Sequence, residues 1–325
     1  MTGRRAVVAE VLGRGGGGGR GGVVPPWLLA LASMTSVQLG SALSVDMIDE
    51  VGAAGTAWLR LTMGAAVFAL LARPPLRSIR RHDVPLVLAL GVATGLVTIA
   101  FLAAISRLPL GTAVAIEFLG PLTVAAVHSP HRRALAWTGV ALVGVVLLNE
   151  PWHGEVDAIG LVYAGLAALG WGTYIVLTQR VGDRFSGLGG LSLTVPIAAI
   201  AAAVVGVPQA VGAITPQLLL AAIGLALLLP VLPYALELLA LRRMTPTAFG
   251  TLMALEPAIG LVLGLVVLHQ RPSATQLLGI ALVVLAGAAA QRGGLRDHGD
   301  GRERRDEDAP SADVTLPLPG SATDG

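Results

Sequence analysis

From Trp27 onward the chain is written in apolar stretches, separated by short runs that carry charge, proline or glycine. A helix needs about 20 apolar residues to cross the hydrocarbon of a bilayer. Ten stretches approach that length, near 27–45, 54–72, 84–105, 110–127, 135–149, 158–178, 188–207, 216–241, 245–268 and 274–291. The fifth is short and needs its neighbours to span. Open-edged strands would leave backbone groups unpaired in lipid, so each stretch is read as a helix. The pattern predicts an all-α integral membrane protein of ten transmembrane helices.

The arginines orient this map, because cytoplasmic loops carry the excess of positive charge. With a cytoplasmic N-terminus, the inner loops hold Arg73, Arg77, Arg80, Arg81, Arg132, Arg133, Arg180, Arg184, Arg242 and Arg243. The outer loops hold only Arg107 and Arg271, while Asp46, Asp49, Glu50, Glu150, Glu155 and Asp157 all fall outside. An even number of spans returns the C-terminus, with Arg292 and Arg296, to the cytoplasm.

The pattern also repeats. Ala104-Ile-Ser-Arg107-Leu-Pro-Leu-Gly-Thr-Ala-Val-Ala-Ile-Glu-Phe-Leu-Gly-Pro121 lies over Ala240-Leu-Arg-Arg243-Met-Thr-Pro-Thr-Ala-Phe-Gly-Thr-Leu-Met-Ala-Leu-Glu-Pro257, with residue 104 on 240 and 121 on 257. The next spans match as Thr138-Gly-Val-Ala-Leu-Val143 and Leu278-Gly-Ile-Ala-Leu-Val283. Five helices per copy is an odd number, so the second copy enters from the opposite side. The expected architecture is two inverted five-helix repeats, residues 26–150 and 151–292, between cytoplasmic tails at 1–25 and 293–325. In such folds substrate binds near the midplane, where the repeats meet at broken helices. Pro121 and Pro257 are matched helix breakers, since proline lacks the N–H that a helix uses.

Three charges interrupt the apolar pattern. Arg60, Glu117 and Glu256 each lie ten or more residues from the nearest flanking charge, which puts all three roughly 15–20 Å deep. An ionisable group there costs at least roughly 2.5–3.5 kcal/mol and needs a partner or a task. One arginine and two glutamates suit a zwitterion: Arg60 can fork onto a carboxylate and one glutamate can face an ammonium. The other glutamate, left without a cation, becomes a place to exchange a proton; Glu256, beside Pro257, is favoured for that. Gln38 and Tyr234 are the further candidates for substrate contact. Glu237, five residues before Arg242, is within snorkelling reach of the cytoplasmic interface. Most other membrane Thr and Tyr residues are expected to bond only to neighbouring backbone.

Composition narrows the field of functions. The 325 residues are 54% hydrophobic and 13% charged, about half the charge of a soluble domain. With no cysteine, and six histidines lacking metal-ligand spacing, no metal or cofactor site is expected. Net charge is only +2 and the arginines are dispersed, which argues against nucleic acid. The same shortage of His, Cys and metal constellations argues against an intramembrane enzyme. The first residues do not read as a cleavable signal, because Glu10 and the glycine run at 13–22 follow a very short apolar stretch. Both tails have compositions unable to build a core.

Four segments carry a family resemblance: Ser36-Val-Gln-Leu-Gly-Ser-Ala-Leu43; Leu59-Arg-Leu-Thr-Met-Gly64; Pro109-Leu-Gly-Thr-Ala-Val-Ala-Ile-Glu-Phe-Leu-Gly-Pro-Leu122; and Leu232-Pro-Tyr-Ala-Leu-Glu-Leu238 with Thr247-Ala-Phe-Gly-Thr-Leu-Met-Ala-Leu-Glu-Pro257. They resemble the drug/metabolite transporter superfamily in its EamA-type branch, and within it the inner-membrane threonine/homoserine exporters. The resemblance implies a proton-driven exporter of amino acids or related metabolites, the alternative being another metabolite or drug-like solute of the same superfamily, with Gln38, Arg60, Glu117, Tyr234, Glu237 and Glu256 at family motif positions. One departure stands out: where such proteins carry Gly-Glu between the last two helices, this chain reads Leu268-His-Gln-Arg-Pro272.

Overall fold

The computed structural model describes residues 24–71, 80–127, 133–150, 156–182, 189–241, 243, 249 and 252–293, and among them helix is the only regular structure. The helices are α1 (Pro26–Leu71), α2 (Val84–Ile105), α3 (Leu110–Glu117), α4 (Leu119–Val127), α5 (Arg133–Asn149) and α6 (Ala158–Gly182). They continue as α7 (Gly189–Ala210), α8 (Pro216–Ala226), a π-helical stretch at Leu227–Val231, α9 (Leu232–Leu241), α10 (Glu256–Val266) and α11 (Ala274–Gly293). Six helical segments are long and apolar enough to cross a membrane, and three more are apolar but shorter. The expected tails lie almost wholly outside the described residues, as do Arg73, Arg77, Arg132, Arg184 and Arg242.

The first two expected spans appear as one element, with no loop between them. At Gly52 the backbone takes φ 74° and ψ 166°, a combination open only to glycine without a steric penalty. Sixteen residues of straight helix would separate Ser44 from Arg60 by roughly 24 Å, yet an Arg60 nitrogen lies 3.4 Å from the Ser44 hydroxyl. The chain therefore folds back on itself at one residue. Asp46, Asp49 and Glu50, expected in a loop, instead sit exposed on the last helical turns before the bend. Gln209 of α7 stabilises the reversal, its Oε1 accepting from the Ala54 N–H at 3.0 Å and the Gly55 N–H at 3.3 Å. These are first-turn donors with no partner inside the helix.

Close backbone approach holds the rest together, as it must where lipid supplies no hydrophobic drive between helices. The second limb of α1 runs against α7, with Leu61 and Phe68 on Val195, Ala198 and Ala202. α2 packs on both α6 and α7, and α3 packs against α10. α5 and α11 cross with Gly144 facing Gly279: a Cβ on either would stand 2.7 or 2.6 Å from the other's carbonyl oxygen. The seam is pinned at its end by the Gln276 amide donating to the Leu148 carbonyl at 3.3 Å and by a hydrogen bond from Ser273 to Glu150. Gly144→Ala should thus cost about 1–3 kcal/mol through overpacking. Gly139→Ala, with nothing within 4 Å of its Cβ, is the control. Thermal unfolding in detergent should show a lower midpoint for the first variant alone.

Candidate functional site

Three prolines break helices around one region. Pro121 cannot donate to the Glu117 carbonyl, and the helix parts at Phe118, between α3 and α4. Pro257 breaks the helix in the same way, and the chain turns at Ala254 and Leu255 before α10. The third break was not expected, since 216–241 reads as one continuous span. At Pro230 the helix loosens into the π stretch, and Leu229 becomes extended at φ −158°, ψ 109°. The Ser36 hydroxyl satisfies the Leu228 carbonyl at 2.8 Å. The sequence signal was the pair Pro230 and Pro233, which together make a regular helix there too costly.

Arg60 is 4% exposed and lies in the second limb of α1, about 12 Å from the bend. Its one hydrogen bond among the described residues is the long contact to Ser44, although a guanidinium carries five donors. Glu117, at the end of α3, is half-buried. Glu256 is 4% exposed, and its Oε2 has no hydrogen-bond partner. Arg60 lies within electrostatic reach of Glu117, Glu117 of Glu256, and Glu256 of Glu237. Among the described residues the only ion pairs are His82–Asp83 and Arg107–Asp157, so the three deep charges do not neutralise one another by contact.

Gln38 lies on the first limb of α1 and is 3% exposed. Its Oε1 is also without a partner and would stand 3.5 Å from a Cβ on Gly260 of α10. Tyr234 meets Phe68 edge-on, with ring centroids 6.3 Å apart. Glu237 does not snorkel: its Oε1 accepts from the buried Ser33 hydroxyl at 3.0 Å, which holds the carboxylate against the first limb of α1. Ser33 and Ser44 went unnoticed in the sequence because nothing distinguishes them from the backbone-bonding hydroxyls around them. Thr94 and Thr98 are of that ordinary kind, bonding the carbonyls of Leu90 and Thr94.

A separate cavity of about 290 Å³ opens at the far end of α3 and α10, lined by Thr112, Leu261, Gln270, Arg271 and Gln276 among others. The unusual turn sits here. His269 takes φ 56°, the left-handed conformation that glycine favours. Gln270 Oε1 accepts from the Leu110 N–H at 3.1 Å and caps α3. A neutral amide thus does the capping in this turn.

Comparison with known proteins places this arrangement. The EamA-like transporter family matches residues 158–289. The threonine/homoserine exporter RhtA of Salmonella typhimurium strain LT2 is 32% identical over 271 residues, covering 80% of this chain and 89% of that protein. RhtA of Escherichia coli strain K12 is 33% identical over 276 residues, covering 81% and 91%. A protein of known crystal structure matches at 21% identity with a TM-score of 0.55, over 81% of this chain and 97% of that one, a likeness of fold. The apolar helices and these relatives define a multi-pass membrane transporter, not an enzyme. The chain belongs to the EamA-like transporter family of the drug/metabolite transporter superfamily.

The burial pattern makes a labelling prediction, which the natural absence of cysteine renders clean. A thiol introduced by Glu117→Cys should react with a small membrane-permeant maleimide, whereas Glu256→Cys should react far more slowly. Intact-protein mass spectrometry reads both; equal rates would contradict the different exposure of the two positions.

Proposed function

We propose that this protein exports small amino acids, threonine and homoserine among them, across the inner membrane by alternating access coupled to protons. The observation that carries the reading is Arg60: a buried guanidinium with one long hydrogen bond among the described residues, within electrostatic reach of Glu117 but not paired with it. A charge network whose task was to lock the bundle would close its ion pairs, because an unpaired buried charge is strongly destabilising. An open fork fits a substrate carboxylate. The names of the relatives supply the solute class, and proton coupling follows from a carboxyl left over once the zwitterion is held.

The packing supports two inverted five-helix halves, 26–150 and 151–292, joined as ten spans. An exchange of halves maps the contact of the first limb of α1 with α9 onto that of α6 with α2. It maps α10 on α1 onto α3 and α4 on α6, and returns α3–α10 and α5–α11 to themselves. Arg107 and Asp157 pair at 3.2 Å, which requires the loops after spans three and five to share a side. The Gly160 N–H, and after it Arg107, hold the Asp157 carboxyl below its usual range. Entry of the second half from the opposite side fits this pattern together with the arginine bias.

Two measurements test the reading. Vesicles loaded with radiolabelled threonine should release it faster when a pH gradient is imposed, and Arg60→Lys should slow release about tenfold or more while the protein stays folded. If Glu117→Gln and Glu256→Gln both expressed well and kept full gradient-driven efflux, the carboxylates would be structural and this mechanism wrong. For orientation, reporter fusions at residues 24 and 300 should both report cytoplasm; a periplasmic signal from either would overturn the ten-span map.

A further inference from the structure

Two buried side-chain oxygens that border α10 have nothing to accept from. Gln38 Oε1 and Glu256 Oε2 are both unpartnered, on residues 3% and 4% exposed. Glu256 begins α10, and the Gln38 oxygen would stand 3.5 Å from a Cβ on Gly260, one turn further along the same helix. Leaving such groups unpaired is costly, more so for a charged one, so the two together mark a place for a missing donor.

We infer that Gln38 and Glu256 together form the seat for the substrate's ammonium group. The inference rests on the export reading and sharpens it, because it assigns the two glutamates different work. A primary ammonium carries several N–H donors and one positive charge, which suits a carboxylate and an amide oxygen offered together. A hard metal cation is a poor match, since it takes six or more oxygen ligands. No group of three or more His, Cys, Asp or Glu residues able to hold a metal occurs among the described residues. Sequence position favoured Glu256 for the proton. Burial reverses that choice: Glu256 is enclosed with an unpartnered carboxylate oxygen, whereas Glu117 is half-buried and within electrostatic reach of both Arg60 and Glu256. Selectivity for a free amino group would then come from α10 and α1, and selectivity for the carboxylate from Arg60.

The test uses purified protein in proteoliposomes loaded with radiolabelled threonine. Exchange is started by external threonine or by 2,3-dihydroxybutanoate, in which a hydroxyl replaces the ammonium. Wild type should prefer threonine by about tenfold or more, the scale of a charge-assisted hydrogen bond set. Gln38→Leu should shrink that preference to about threefold or less, and Glu256→Gln should lose threonine exchange. Glu117→Gln should lose the acceleration of exchange by a pH gradient. Wild type that exchanged both compounds equally would overturn the seat and leave the export reading standing; wild type that exchanged neither would overturn the export reading itself. If replacing sodium with N-methylglucamine abolished wild-type exchange, and Glu256→Gln no longer responded to sodium, the seat would belong to a metal ion and the assignment would fail. Should Gln38→Leu not fold, Gln38→Glu serves instead, and it should retain or strengthen the preference for the ammonium compound.

Discussion

A peptide group in hydrocarbon has no water to bond, so a membrane helix can break only where protein covers the break. That constraint organises this molecule. The three interruptions, at Phe118, at Leu229 and at Ala254–Leu255, all face neighbouring helices. The first is closed over by α6, which approaches Gly120 so nearly that a methyl there would collide with the Ala168 carbonyl. The second is covered by Gly40 and Gly64, whose Cβ positions lie 3.3 and 3.2 Å from Leu228 and Pro230. The third lies against Phe118 and α11, with Ala254 fully buried. Each break frees polar backbone where polar side chains already gather, and so the interior is wet in chemistry though enclosed by apolar helices.

The same logic governs the charges. Arg60, Glu117, Glu256 and Glu237 form a chain of groups that feel one another across the bundle without touching. A transporter gains from that arrangement, because interactions withheld from the empty protein are available to the solute. Glu237 is the exception, tied to Ser33 in the described state.

Much of this was legible before any coordinates. Composition and span length gave the fold class, and the matched Pro121 and Pro257 marked two of the three breaks. Arg60, Glu117 and Glu256 stood out because charge in an apolar run is costly wherever the helix points. What stayed hidden depended on tertiary contacts. Gly52 looks like any other small residue in a glycine-rich sequence until φ is known, and the Asp46–Glu50 segment looked like a loop because acidic residues usually mark one. Glu237 was misjudged because distance along the chain to Arg242 says nothing about Ser33, more than two hundred residues away. The contact of Gln38 with α10 at Gly260 is a pairing that spacing along one chain does not encode.

The one-residue reversal at Gly52 bears on how the deepest cation is housed. Asp46, Asp49 and Glu50 ride on the turns beside the tip, where they stay exposed. Arg60 lies as far past the bend as Ser44 lies before it, so the two limbs bring the guanidinium to a hydroxyl of its own hairpin. That contact is local to one element, and it does not depend on which later helix packs beside it.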